Sequence, residues 1–166
     1  MALTGSVSLT INASQSVTAG LGQASNTLAK TVAKTIANGS GANQANVLWS
    51  SSRSLTGTAE DLDLNGVLTD AYGASVNLLR VKGIYIGNLS STDGQDILVG
   101  GAGSNAWVGM VGGTSHKIKV GPSGFFFNYS PLATGFPVVS GTGDQLHIDP
   151  QGATLTYEIA ILGSSS

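Results

Sequence analysis

Residues 153–163 read ATLTYEIAILG, from Ala153 to Gly163. Leu155, Tyr157, Ile159 and Ile161 fall on one parity; Thr154, Thr156, Glu158 and Ala160 fall on the other. Successive side chains of a strand point to opposite faces, so this period of two buries one row and leaves the other near water. β-Branched and aromatic residues fill the run, as a pleated, half-buried surface favours. The stretch is a strand, and it sets the reading of everything before it.

Working back from it, short runs of the same kind recur between turns. QLHID (Gln145–Asp149), Phe136–Val139, Gly124–Tyr129, His116–Val120, Ala106–Val108 and Ile97–Val99 are read as strands. HKIKV-GPSG-FFFNY has the form of a hairpin, with Pro122 presetting φ and Gly124 closing the turn. VNLLRVKGIYIGNL (Val76–Leu89) is long enough to cross a sandwich. Its apolar parity breaks near Leu79–Gly83, where Gly83 is the natural host for a bulge. VLWSSSRSL (Val47–Leu55) and AEDLDL (Ala59–Leu64) read as two strands around Thr56-Gly57-Thr58. No run after residue 40 reads as a helix. Many short strands with frequent Gly-rich turns predict an all-β fold, an antiparallel β-sandwich of jelly-roll type.

The first forty residues are less patterned. LAKTVAKTIA (28–37) admits a helix or a strand; its Thr and Val content and its stop at Asn38-Gly39 favour a strand. Val7, Leu9 and Ile11 alternate with Ser8 and Thr10 as one short strand. Asn12 to Thr27 is small and polar, the composition of a loop or extended arm. The division expected is an N-terminal arm over residues 1–27 and a β-sandwich domain over 28–166. Val7, Leu9 and Ile11 would be the arm's attachment residues, adding to a sheet edge of a neighbour.

Composition narrows the classes of function. Seven basic and nine acidic side chains leave a net charge of −2, without the clustered Lys and Arg of a nucleic-acid footprint. Charged residues are 10% of the chain, against roughly 25% in an average soluble domain. So little charge favours an assembled subunit over a free monomer. There is no Cys, hence no disulfide and no thiolate metal site. Neither a signal peptide nor a run of about 18 apolar residues is present, so no membrane partner is expected.

Reactive constellations are missing from the sequence. Glu60, Asp61, Asp63 and Asp70 form the densest acidic cluster, but calcium needs about six converging oxygens, and Asp61 and Asp63 simply share a strand's solvent face. His116 and His147 have no partner at ligand spacing. GGAGSN (Gly100–Asn105) lacks the Gly-Lys-Ser/Thr of a phosphate loop, and there is no Gly-x-Ser-x-Gly elbow. The chain is not expected to be an enzyme, nor to carry a metal or cofactor. Among aromatics, Trp49 is assigned to the core, whereas Trp107 and Tyr72 are candidates for stacking on a glycan or anchoring an interface.

Three blocks carry a resemblance: GSGANQANVLWSSSRSLTGTAEDLDLNGVLTDAYG, then LVGGAGSNAW with the strand pair after it, then SGTGDQLHI with TLTYEIAILG. Together they resemble a group of small virion structural proteins encoded by tailed bacteriophages. The resemblance runs over roughly residues 38–163 and rests on turns and strands. It implies a capsid decoration (cement) protein that sits on the virion, binds the major capsid protein or another virion protein, and forms a homotrimer. The alternative is a host-adhesion or carbohydrate-binding module of a tail or head fibre. Trp107 and Tyr72 exposed side by side would favour adhesion; an ordered, protruding arm would favour the structural role.

Overall fold

The computed structural model describes residues 2–166, and all of its regular elements are strands. In chain order they are β1 (Gly5–Ala19), β2 (Gly22–Asn38), β3 (Gln44–Ala45), β4 (Val47–Thr56), β5 (Glu60–Asp63), β6 (Asn65–Thr69) and β7 (Ser75–Asn77). Then follow β8 (Arg80–Asn88), β9 (Ile97–Val99), β10 (Ile118–Val120), β11 (Phe125–Tyr129), β12 (Phe136–Pro137), β13 (Gln145–Asp149) and β14 (Thr154–Ser164). The fold is all-β, as the alternation of the last strand predicts.

Strand β14 is central. It pairs antiparallel with β4 on one side and β8 on the other, and the sheet continues in the order β11-β8-β14-β4, with β12 also on β8. A second sheet has the order β10-β9-β13-β5. Leu155, Tyr157, Ile159 and Ile161 of β14 are all buried. With Trp49, Ile84 and Ile86 of their own sheet they form one apolar cluster with Leu62, Ile97, Val99, Leu146 and Ile148 of the other. Two sheets sharing one core make a sandwich. β6 and β7 form a separate small ribbon.

The parity break in 76–89 is real. Leu162 lies opposite Gly83 but Gly163 lies opposite Val81, so Lys82 is the extra residue of a bulge, one position before the glycine expected to host it. Val81 and Ile84, of opposite parity, both face the core as a result. The strand is also interrupted at Leu78-Leu79, leaving β7 and β8 in different sheets. The bulge turns Lys82 inward. Its Nζ donates to the carbonyls of Ala133 at 2.7 Å, Gly41 at 3.3 Å and Leu132, and the residue is 2% exposed. Burial, with Arg80 nearby, lowers the pKa of this ammonium.

The expected hairpin around Gly121–Gly124 requires a correction. The turn forms, with the Gly124 amide donating to the Gly121 carbonyl at 3.0 Å. Its two arms, however, join different sheets: β10 pairs with β9, and β11 pairs with β8. Neighbouring chain holds the corner open. The Asn88 amide donates to Gly124 and the Ser123 amide to Ser90, while the Asn88 side chain donates to the carbonyls of Gln95 and Val120. The stretches around Ala106–Val108 and Phe136–Val139 contribute little ladder: two isolated bridges, Ala106 to Gln145 and Val139 to Gly143, and the two-residue β12.

The N-terminal region also departs from expectation. Residues 12–27 are not a loop. β1 and β2 pair antiparallel over their whole length, from Gly5–Ile36 to Ala19–Gly22. Gly20, at φ 59°, opens the two-residue turn in the position where a II′ turn takes glycine. Residues 28–37 are strand, and β2 runs unbroken through the expected boundary at 27/28. The hairpin's root is fixed by Ile36, which is buried, and by parallel pairing of Ala37 and Asn38 with β3.

Candidate interaction surfaces

The hairpin is two-faced because its register keeps the parities together. Cross-strand partners share a face. Val7 lies opposite Lys34, Leu9 opposite Val32, Ile11 opposite Lys30, Ala13 opposite Leu28, and Val17 opposite Ala24. One face is therefore apolar apart from Lys30, Lys34 and the Gln15–Asn26 pair. The other is Ser, Thr, Ala, Asn and Gln, with the Thr10 and Thr31 hydroxyls 3.0 Å apart. On the apolar face Leu9 is 43% exposed, Ile11 49%, Val17 60%, Leu28 55% and Val32 47%. Contiguous apolar surface left open to water is uncommon on soluble monomers.

The proposed attachment residues Val7, Leu9 and Ile11 thus stand together on one row of β1. Sequence reading missed the other half of the row, on β2. The signal was present: the repeat LAKTVAKTIA puts Leu28, Val32 and Ile36 on the same strand parity as Lys30 and Lys34.

A second apolar surface lies on the outer side of the β11-β8-β14-β4 sheet. Phe125 pairs with Gly87, Phe127 with Tyr85, and Tyr129 with Gly83. Glycines there leave room for the rings: a Cβ on Gly87 would lie 2.5 Å from the Tyr85 hydroxyl, and one on Gly83 3.4 Å from the Tyr129 ring. Tyr85 and Phe125 have ring centroids 6.1 Å apart, and Phe125 is 64% exposed. Leu48 and Leu162, opposite each other on β4 and β14, extend the patch. The Tyr85 hydroxyl donates to Glu158 at 2.7 Å, a bond that raises the tyrosine's pKa, helped by partial burial. A groove of about 310 Å³ joins this patch to the hairpin root, with Val7 and Leu9 on one wall and Tyr85, Phe125 and Phe127 on the other.

Trp107 and Tyr72 do not come together. Trp107 is 2% exposed and belongs to the core; its indole N–H donates to the Pro137 carbonyl at 2.8 Å. It cannot stack on a glycan or a partner, because the Gly-rich chain around it folds over the ring: a Cβ on Gly109 would lie 2.8 Å from the indole nitrogen. Tyr72 is 77% exposed, in a turn where the Asp70 side chain accepts from the Tyr72 and Ala74 amides. It borders a cleft of about 410 Å³ with Leu3, Val47 and Leu48. Trp49 is in the core and donates to the Thr69 carbonyl.

The acidic cluster is dispersed among separate jobs. Glu60 of β5 accepts from Arg53 of β4 and, at 2.8 Å, from the Tyr157 hydroxyl of β14, joining the two sheets. Burial pushes the Glu60 pKa up, but the bonds from Arg53 and Tyr157 outweigh it and the net shift is downward. Asp61 meets His147 at 2.7 Å, Asp63 accepts from the Asn65 amide, and Asp70 holds its own turn. His116 faces the Val111 carbonyl at 3.0 Å. Among the described residues no three His, Asp or Glu side chains converge as metal ligands, and no helix is long and apolar enough to cross a membrane.

Compared with protein-family models, with curated proteins and with solved structures, the chain matches none.

Proposed function

We propose that this protein is a non-enzymatic structural subunit of a bacteriophage virion, a capsid decoration protein whose hairpin fastens it in place. The observation that carries the reading is the hairpin itself, with 15 and 17 residues in its strands and a largely apolar row open to water. An isolated two-stranded ribbon is marginal in water, so such an element is built to be covered by something else. The body behind it is a compact, weakly charged sandwich. We read its eight principal strands as a jelly roll: β4/β5, β8/β9, β10/β11 and β13/β14 each cross between sheets ordered β4-β14-β8-β11 and β5-β13-β9-β10. The resemblance of residues 38–163 to small phage virion proteins supplies the partner, the capsid shell. Many copies engaging at once give avidity without strong single contacts.

The test is cosedimentation of the full chain with phage heads lacking it. A second chain has residues 12–29 replaced by Asn-Gly, joining Ile11 to Lys30 in the existing register. The full chain is expected to pellet with heads and the shortened one to stay in solution, with similar melts. Full-length chain that remains in solution at micromolar concentration overturns the proposal.

A further inference from the structure

We propose that the hairpin's apolar row docks on the aromatic outer face of the β11-β8-β14-β4 sheet of a second copy of this chain. The inference rests on reading the hairpin as the element that fastens a decoration protein in place, and it makes a neighbouring copy on the shell, rather than the shell itself, what covers the row.

Size comes first. Fifteen residues of β1 at about 3.4 Å each give a ribbon of about 50 Å. The longest strand of the receiving sheet has 11 residues, or about 37 Å. Only the root of the hairpin, at Val7 and Leu9, lines a groove with the body; Ile11, Val17, Leu28 and Val32 stay exposed, and Leu21 at the tip is fully so. The outer part of the row needs a surface that its own body does not provide.

Charge selects the surface. Lys30 and Lys34 are the only charged side chains in residues 1–38, and both stand on the apolar row. Since the whole chain is −2 and this segment +2, residues 39–166 carry −4. Arg53, Lys117 and Lys119 pair with carboxylates, while Arg80 and Lys82 reach carbonyl oxygens. Lys30 and Lys34 have no such partner among the described residues. The outer sheet face offers Glu158 in the midst of Tyr85, Phe125 and Phe127, an acidic group set in an aromatic field. A lysine-bearing aliphatic ribbon fits it in both respects, and lysine stems also pack on rings.

Continuity and area agree. The groove at the hairpin root already places Val7 and Leu9 beside Phe125 and Phe127, so the two surfaces form one apolar field across two elements. The length of ribbon that the sheet can receive, about 37 Å by 10 Å, covers on the order of 370 Å² as donor. Each copy also receives one, for about 740 Å² per subunit, close to the roughly 800 Å² per partner of a standard interface. Reciprocal exchange and a closed ring of copies bring the same two surfaces together.

Because the chain has no Cys, crosslinking can be site-specific. Val32→Cys and Phe125→Cys chains, mixed and treated with a short bismaleimide, are expected to give a mixed dimer in preference to either self-linked product. Leu28→Lys with Val32→Lys should weaken association at least about tenfold, as loss of central apolar contacts does, with the circular dichroism unchanged. Three results overturn the proposal: a chain that stays monomeric at 100-fold dilution above and below any working concentration; links only between Val32→Cys chains, meaning hairpin on hairpin; or unchanged association in the double-lysine chain. A monomer that still pellets with heads leaves the decoration reading standing and assigns the row to the shell. An associating chain that does not pellet has the converse meaning.

Discussion

Tyr157 and Glu60 sit on opposite sheets, and the hydroxyl of one donates to the carboxylate of the other at 2.8 Å. Tyr157 is fully buried, and burial together with this bond raises its pKa far above the ordinary phenol value. The pair is a polar rivet in an apolar seam. Tyr157→Phe removes one bond but leaves Glu60 held by Arg53, so it should cost about 1 kcal/mol. Glu60→Ala strands both Arg53 and Tyr157 and should cost more, about 1–3 kcal/mol. Urea titrations of the two variants check the order; equal losses would mean that the phenol carries the contact alone.

The same carboxylate gives the protein an acid limb. Glu60 titrates lower folded than its ordinary value of 4.5, so the unfolded chain binds its proton first as pH falls. Its contribution is complete above that ordinary value and is lost as pH falls through the lower, folded one. Glu60→Gln should flatten the drop in melting temperature between about pH 5 and pH 3. Identical slopes in the two proteins would remove Glu60 from the account.

Ile159 and Glu158 are adjacent but face opposite ways. Ile159 is 2% exposed, so Ile159→Asp places an unpaired carboxylate in the core and should unfold or aggregate the protein, at a cost of several kcal/mol. Glu158→Gln keeps an acceptor for the Tyr85 hydroxyl and should shift stability by under about 1 kcal/mol. Thermal melts that fail to separate the two would contradict the register of β14.

Lys82→Met removes the donor shared by Gly41, Leu132 and Ala133. Those carbonyls are left short of a partner, at about 1–3 kcal/mol. The loosening should be local: the Ala37 and Gly39 amides, which donate to Asn43 and Ala45, should exchange hydrogen faster than those of β14. Uniform acceleration across the chain would point to global destabilisation instead.

Sequence showed most where one strand could be read by itself. The Leu155–Ile161 row needs no partner to be recognised, and AEDLDL buries Leu62 and Leu64 as its alternation predicts. Partnership was what it hid. The Gly121–Gly124 turn is legible, yet its arms divide between sheets because Asn88 and Ser90 hold the corner. Residues 12–27 hold only two large apolar side chains, Val17 and Leu21, so nothing local distinguishes a strand from a loop; their ladder depends on β2. The glycines around Trp107 leave its exposure open in the sequence, whereas in the fold they are what lets the chain close over it.

The join between hairpin and body has a mechanical meaning. A pull on the tip draws both strands in the same direction, so the load runs along their covalent backbones rather than across the hydrogen bonds of the ladder from Gly5 to Ala19. The tension continues through the covalent backbone of β2 into residues 39–45, where β3 and the Lys82 clamp on Gly41 receive it. The tether should resist axial force better than sideways peeling, and the first place to yield is its root.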